Sequence, residues 1–94
     1  MWMVYIILNK HKDKTYTGST NNFKKRLLDH NDNKVLSTRG NGPWIPVYIE
    51  FYPNEAEARN REGFLKTSSG RRYLKKVIDN IIKIWACGAT GPPR

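Results

Sequence analysis

Two tyrosines near the N-terminus are spaced so that their phenols could share one site. Tyr5 lies in the apolar run MVYIIL and Tyr16 in the run TYT, with the polar segment NKHKDK between them. Two β-rich runs joined by such a segment predict a hairpin. A hairpin symmetric about Lys10 and His11 pairs Tyr5 directly with Tyr16, and directly opposed residues share one face of a sheet. We therefore expect two hydroxyl groups side by side, able to donate and accept hydrogen bonds.

A helix predicted over residues 20–31 carries two further polar groups. Ser19 or Thr20 is a suitable N-cap, and the apolar residues that follow have helical spacing. Arg26 and His30 lie at i and i+4 beside that apolar stripe. We expect both side chains at the edge where this helix meets the sheet. Gly18, just before the helix, predicts a positive φ or a close backbone approach.

A glutamate occupies an inward position of a second predicted helix. This helix runs from the cap Asn54 to about Lys66, and Glu62 lies on its apolar stripe. An unpaired buried carboxylate is costly, so Glu62 must be protonated, paired or bound to a cation. Gly63 beside it costs about 1 kcal/mol of helix propensity relative to Ala, which predicts that another group packs closely there.

Length, charge and composition restrict the class of protein. The 94 residues suit one domain, and a net charge of +9 predicts a polyanionic partner or else a cationic surface without a ligand. One cysteine and two histidines argue against an internal disulfide and a structural zinc site. The chain has neither an apolar run of about 18 residues nor a signal-peptide pattern. We expect a cytoplasmic protein that does not bind membranes, with a monomer favoured.

The remaining pattern predicts a small sheet with helices on both sides. Residues 2–8 are apolar on both faces, which is typical of a central strand. Alternation over residues 47–52 predicts a third strand, and residues 71–85 predict a third helix. The expected fold is of the α/β class in its α+β form: a three-stranded antiparallel sheet flanked by three helices, in the order β-β-α-β-α-α. The domain is expected over residues 1–85, followed by a disordered tail over residues 86–94.

The spaced set Tyr5, Tyr16, Arg26, His30 and Glu62 resembles that of the GIY-YIG nuclease family, in its small stand-alone bacterial form. MVY stands at the first tripeptide and YTG at the second, and the GPW, REGFLK and GRRYLKK segments are also similar to such members. The resemblance covers about residues 1 to 80. The first tripeptide has methionine where the family has glycine, and an asparagine that some members place near the metal has no counterpart.

This resemblance implies a metal-dependent endonuclease that hydrolyses DNA, or RNA, with Mg²⁺ or Mn²⁺. Glu62 would ligate the metal, and Arg26 would stabilise charge on the phosphate. One of Tyr5 and Tyr16 would act as general base and the other would hydrogen-bond the phosphate or water, with the assignment open. His30 would relay a proton or hold a phenol in place.

Basic residues outside this set are expected to contact the phosphate backbone. A basic helix start after Ser68, Ser69 and Gly70 is a good phosphate contact, although such a face can also be merely solvated. The expected nucleic-acid-binding residues are Lys14, Lys25, Arg39, Arg71, Arg72 and Lys75.

Structural interpretations compete with the functional one. A strand tyrosine is usually a core residue, Arg26 can be a solvated helix charge, and Glu62 can form a salt bridge to Arg26 or Arg59 without a metal. At the level of the whole protein, the alternatives are a nucleic-acid-binding module of the same fold with weak or no cleavage, and a protein-interaction domain that uses an exposed Trp44, Trp85 and the tail.

Overall fold

The chain forms three strands and three α-helices in the predicted order. The structure is a computed structural model that describes residues 1–9, 11 and 14–90. Its elements are β1 (Trp2–Asn9), β2 (Lys14–Thr20), α1 (Phe23–Asn31), a 3-10 turn (Leu36–Thr38), β3 (Ile45–Tyr52), α2 (Glu55–Leu65) and α3 (Ser68–Thr90). The predicted fold class is confirmed.

The sheet has β1 at its centre, with β2 and β3 antiparallel on either side. The even-numbered side chains of β1, Val4 and Ile6, pack with Ala58 and Leu65 of α2 and with α3. The odd-numbered side chains, Tyr5 and Ile7, pack with α1 on the opposite face. The central strand is therefore covered on both faces, as its apolar pattern predicts.

The predicted pairing of the first two strands is wrong by two residues. Tyr5 lies opposite Gly18, and Tyr16 lies opposite Ile7. Because side chains alternate with a period of two, a shift of two residues leaves both tyrosines on the same face. The physical reason for this register is space: a Cβ added at Gly18 would lie 2.5 Å from Tyr5 Oη. The glycine supplies a close backbone approach, the second of the two roles expected for it.

The start of α1 also differs from the prediction. The N-cap is Asn22, whose side chain accepts a hydrogen bond from the Lys25 amide, and the helix begins at Phe23. Thr20 instead ends β2, and its hydroxyl accepts from the Asn22 amide at 3.1 Å. Asn54 caps α2 as predicted.

The close packing expected at Gly63 occurs at another glycine. Nothing lies within 4 Å of a Cβ added at Gly63, whereas one added at Gly70 would overlap the backbone of Phe64 and Leu65. Gly70 lies in the first turn of α3, so its missing side chain lets that helix start directly against the end of α2.

The third helix is longer than predicted at both ends. It begins at Ser68 rather than Arg71, because the Thr67 hydroxyl accepts a hydrogen bond from the Gly70 amide. Its assigned end is Thr90, so the boundary expected at residue 85 falls inside the helix. Residues 91–94 of the predicted tail lie outside the described residues. Within the described part of the chain, no helix is long and apolar enough to cross a membrane.

Candidate active site

The Tyr5 hydroxyl is bound to His30 inside the protein. Tyr5 Oη lies 2.8 Å from His30 Nε2, and both side chains are 0% exposed. The burial of Tyr5 is that of a residue on a central strand covered on both faces. His30 is the buried residue of α1 and the link between that helix and the sheet.

The hydrogen bonds around His30 determine which atom donates the proton in each bond. His30 Nδ1 lies 2.8 Å from Thr38 Oγ1, and the Thr38 hydroxyl donates to the Val35 carbonyl at 3.4 Å. Since the Thr38 proton is used there, Thr38 Oγ1 accepts from Nδ1–H. A neutral imidazole protonated at Nδ1 leaves Nε2 as an acceptor, so Tyr5 donates its phenolic proton to His30.

Burial keeps this pair uncharged. It raises the pKa of Tyr5 to about 12, opposed in part by the hydrogen bond with Arg26. Burial also lowers the pKa of His30, and the positive charge of Arg26 adds to that effect. At neutral pH the two residues are a neutral phenol and a neutral imidazole.

Arg26 and Tyr16 complete an aromatic and cationic cluster on the same face. The Tyr16 ring centroid lies 6.3 Å from that of Tyr5 and 4.9 Å from that of His30. Interaction with the Tyr5 hydroxyl, and more weakly with Tyr16, raises the pKa of Arg26. Tyr16 and Arg26 are partly exposed, whereas Tyr5 and His30 are enclosed. The phenol that solvent can reach is therefore Tyr16.

The Glu62 carboxylate lies on the other face of β2 and is held by two groups. Ser19 Oγ donates to Glu62 Oε1 at 2.5 Å, and Lys66 Nζ donates to Oε2 at 2.7 Å. Burial alone would raise the pKa of Glu62, but the bonds from Lys66 and Ser19 outweigh it and lower that pKa. The Glu62 charge also acts weakly on Tyr5, since it contributes to the raised pKa of that phenol. The ion-pair partner is Lys66, not Arg26 or Arg59 as the structural interpretation proposed.

Lys66 is the site residue that the sequence analysis missed. Its ammonium contacts Glu62 and also lies 5.7 Å from the centroid of the Tyr16 ring. It therefore connects the acidic and the aromatic halves of the site. The available signal was the i, i+4 spacing of Glu62 and Lys66, which places a lysine beside an inward glutamate.

A groove of about 650 Å³ opens beside this cluster, between β2 and α3. Its basic lining residues are Lys66, Arg71 and Lys75, and Tyr16 also faces it. Of the six basic residues predicted to bind nucleic acid, Arg71 and Lys75 therefore line the groove. Arg72 is exposed and bonds to Ser69 at 3.4 Å. Lys14, Lys25 and Arg39 are exposed and do not line it.

The donor set around Glu62 fits a hard divalent cation that keeps most of its water. Among the described residues, no group of three or more His, Cys, Asp or Glu side chains could hold a metal. Glu62 and the neighbouring Ser19 hydroxyl offer oxygen ligands, and the Lys66 ammonium on Oε2 must move away before a cation binds there. Mg²⁺ is commonly bound in this way, by one or two carboxylates plus water and phosphate oxygens.

The protein-interaction alternative loses one of its supports. Trp44 is 4% exposed and packs in the core cluster with Tyr5 and Ile7, so it is not available as a docking residue. Its amide nitrogen donates to Asn31 Oδ1 at 2.7 Å. The side chain of Trp85 and the end of the tail lie outside the described residues.

Several known proteins are similar to this chain over most of its length. A UPF0213 protein of Clostridium perfringens is 40% identical over 83 residues, covering 86% of this chain and 89% of its own. A UPF0213 protein of Staphylococcus haemolyticus is 36% identical over 75 residues, covering 78% and 92%. An uncharacterized protein of Acanthamoeba polyphaga mimivirus is 34% identical over 83 residues, covering 82% of this chain and 49% of its own.

No solved structure matches the chain. The model of one family, described as the GIY-YIG catalytic domain, matches residues 1–76. That range contains both tyrosines, Arg26, His30, Glu62 and Lys66. The chain belongs to the GIY-YIG family, a family of nucleases.

Proposed function

We propose that this protein is a metal-dependent endonuclease that hydrolyses phosphodiester bonds of DNA, with Mg²⁺ or Mn²⁺. The observation that carries the proposal is the arrangement about Gly18 and Ser19. Tyr5 lies opposite Gly18, and the Glu62 carboxylate is bonded to Ser19. Neighbouring residues of one edge strand thus hold a phenol cluster on one face and a metal-compatible carboxylate on the other, and Lys66 contacts both.

Arg26 stabilises negative charge on the phosphate. Its guanidinium is partly exposed and faces Tyr5 and Tyr16, which supports a fixed orientation. A planar guanidinium can donate two parallel hydrogen bonds to phosphate oxygens. Such a preorganised donor is most useful where charge increases during the reaction.

Tyr16 is the phenol that contacts water or phosphate, and Tyr5 is a positioning residue. This assignment rests on exposure: Tyr5 is 0% exposed and donates to His30, whereas Tyr16 faces the groove. Arg26 and Lys66 both lie beside Tyr16, so a phosphate that contacts this phenol also has two cations close by. His30 holds Tyr5 in place through its hydroxyl, and the same hydroxyl interacts with Arg26.

In the hydrolysis, the oxygen of water forms a bond to phosphorus and one phosphorus–oxygen ester bond breaks. The Tyr16 hydroxyl accepts the proton of the water and releases its own phenolic proton to solvent, and the leaving oxygen takes up a proton from solvent. A divalent cation held by Glu62 supplies Lewis-acid stabilisation of the phosphate and leaving oxygens when bound. Members of the family generally use divalent metal ions.

Arg71 and Lys75 guide the nucleic acid along the groove toward Tyr16. Both line the groove, and the chain carries a net charge of +9. Phosphate contacts of this kind supply affinity without reading the base sequence. Since the described residues that line the groove include no obvious base-reading element, we infer low intrinsic sequence specificity.

Conversion of supercoiled plasmid to nicked and linear forms tests the proposal. Wild-type protein should cut with Mg²⁺ or Mn²⁺ and not with EDTA. Arg26→Ala should lower the rate by about 100-fold or more, as expected for loss of an electrostatic stabiliser. Arg59→Ala is the matched control, because Arg59 is an exposed helix arginine paired with Glu55 at 2.6 Å.

The assay also defines failure. If Arg26→Ala cuts as fast as wild type, the activity comes from a contaminating nuclease and the proposal fails. If purified wild-type protein does not cut DNA or RNA with either metal, the second candidate is favoured.

The second candidate is a nucleic-acid-binding module of the same fold that lacks cleavage. The observation that favours it is the Lys66 ammonium on Glu62, 2.7 Å from Oε2, where a metal ligand is needed. This candidate predicts binding that weakens steeply with salt, because phosphate contacts release counterions. It also predicts no turnover with Mg²⁺ or Mn²⁺.

A further inference from the structure

Both oxygens of the Glu62 carboxylate have a partner within the protein. Ser19 bonds to Oε1 at 2.5 Å and Lys66 to Oε2 at 2.7 Å. The hydroxyl of Ser19 can rotate and serve as a ligand or neighbour of a cation. The Lys66 ammonium cannot, because it has only donors and carries a positive charge.

Lys66 and a divalent cation therefore exclude one another at Oε2. A cation at that oxygen would lie within ångströms of a positive ammonium, and like charges this close repel strongly. Metal binding at Glu62 must break the ion pair and move the ammonium away. The free energy of that pair reduces the apparent affinity for the metal.

The surroundings of Lys66 give its ammonium another place to bind. The side chain is 47% exposed, and its four-carbon stem is flexible. Lys66 lines the groove with Arg71 and Lys75. A phosphate group in the groove beside Tyr16 would be within reach of this ammonium and would compete with Glu62 for it.

We propose that Lys66 couples metal binding to nucleic-acid binding: it covers Glu62 in the free protein and transfers to a backbone phosphate when nucleic acid enters the groove. The inference rests on the proposed function for its ligands. The metal and the nucleic acid must each break the Lys66–Glu62 ion pair in order to bind alone. When both bind, the free-energy cost of breaking that pair is incurred only once. Each ligand then strengthens binding of the other by the same factor. The free protein binds metal weakly, and the site is completed on the substrate.

The first experiment measures Mn²⁺ binding to the full chain without nucleic acid, from the electron paramagnetic resonance signal of free Mn²⁺. Lys66→Met keeps the length of the side chain and removes its charge. We expect it to bind Mn²⁺ at least about fivefold more tightly than wild type, in the range of typical coupling between sites. Adding Glu62→Gln to Lys66→Met should abolish that gain.

Arg59→Met is the matched control for net charge. Arg59 acts on Glu62 only through space, since its own ion-pair partner is Glu55. Its loss should change Mn²⁺ affinity by less than about twofold, because solvent and salt screen exposed charges. An equal gain in Arg59→Met and Lys66→Met would overturn the proposal, since general electrostatics would then suffice.

The second experiment measures the coupling. A labelled DNA duplex is titrated with the Arg26→Ala protein, which should cut the duplex at least about 100-fold more slowly than wild type, with and without Mn²⁺. Mn²⁺ should lower the dissociation constant for the duplex by some factor in each protein. We expect that factor to be at least about fivefold larger when residue 66 is lysine than when it is methionine. Equal ratios would overturn the proposal.

Failure of this inference is distinguishable from failure of the proposed function. Plasmid cleavage that depends on Arg26, with Mn²⁺ affinity unchanged in Lys66→Met, would refute the coupling and leave the nuclease. Tighter Mn²⁺ binding in Lys66→Met with the expected coupling, but no cleavage by wild type, would support the coupling and refute the nuclease.

Discussion

The hydroxyl of Tyr5 lies 2.8 Å from Nε2 of His30, and both side chains are fully enclosed. This bond joins the central strand to α1 across 25 residues of sequence. Thr38 bonds to the other ring nitrogen, so His30 has a partner on each side. An uncharged series of hydrogen bonds from Tyr5 through His30 to Thr38 therefore holds β1 and α1 together beside the candidate site.

Removal of the Tyr5 hydroxyl should destabilise the protein. Tyr5→Phe leaves His30 Nε2 buried without a donor, which costs about 1–3 kcal/mol. Denaturant unfolding measures the change. Tyr73→Phe is the control, because Tyr73 is 42% exposed and its hydroxyl bond to Tyr48, at 3.3 Å, is also exposed. Loss of that hydroxyl should cost less than about 0.5 kcal/mol. Equal stability of Tyr5→Phe and wild type would show that the buried bond contributes nothing.

Two glycines should respond to alanine in opposite directions. A Cβ at Gly18 would lie 2.5 Å from Tyr5 Oη and 3.0 Å from Tyr16 Cε2. Gly18→Ala should therefore displace both rings and cost about 1–3 kcal/mol. Gly63→Ala meets nothing within 4 Å and lies inside α2, so it should stabilise the helix by up to about 1 kcal/mol.

Thermal or denaturant unfolding of the two alanine variants checks this pair. The near-ultraviolet circular dichroism of the tyrosines should change in Gly18→Ala and not in Gly63→Ala. A stable Gly18→Ala protein with an unchanged spectrum would contradict the register described for β1 and β2.

Stability should fall as the pH drops below the ordinary pKa of histidine. Burial, with Arg26, lowers the pKa of His30 in the folded protein below its usual value of 6.5. The unfolded chain therefore binds the proton more readily, and linkage removes stability as pH falls from 6.5 toward the folded pKa. Above pH 6.5 the contribution is complete and constant.

Denaturant midpoints at pH 7.5 and 5.5 measure this effect. His30→Gln is less stable at both values because it loses the bonds to Tyr5 and Thr38, but its midpoint should change less between them than that of wild type. Carboxylates with lowered pKa, such as Glu50 and Glu62, act mainly at lower pH. If the denaturant midpoints of wild type and His30→Gln fell by the same amount between pH 7.5 and 5.5, the pH dependence would belong to another group.

Arg71 should contribute to nucleic-acid affinity through phosphate alone. Arg71→Ala should weaken binding to unrelated duplexes by a similar factor and reduce the slope of log affinity against log salt by about one. Lys83→Ala is the control, since Lys83 is exposed on α3 and does not line the groove. An effect of Arg71→Ala on one duplex only would indicate base reading.

The sequence predicted which face of the sheet each tyrosine occupies, but it did not predict the register between β1 and β2. Tyr5 and Tyr16 share a face in any register that differs by two residues, so alternation was sufficient to bring them together. The choice of register depended on the space above Gly18, which is a tertiary effect. A spacing rule cannot detect it.

Helix caps and closely packed glycines could be predicted from the sequence only where a single residue suited the role. Asn54 was the one good cap before α2, but Thr20 and Asn22 both suit the start of α1, and the extension of β2 to Thr20 decided between them. Gly63 and Gly70 look alike in sequence. Only the packing of α3 against the end of α2 distinguishes them.

The inward carboxylate was found from its position, but its partner was not. Arg26 and Arg59 were considered for Glu62, whereas Lys66 one turn later makes the bond. A lysine at the end of a helix is usually interpreted as solvated. Its link to Tyr16 depends on how α2 lies across the edge of the sheet.

β2 has a free edge within the described sheet, since its only neighbouring strand is β1. Lys66 extends from the α2 side to the ring of Tyr16, which belongs to the α1 side. Access to both halves thus requires that no further strand hydrogen-bonds along Lys14–Thr20. An extended segment that paired with this edge would therefore cover the route by which Lys66 reaches Tyr16.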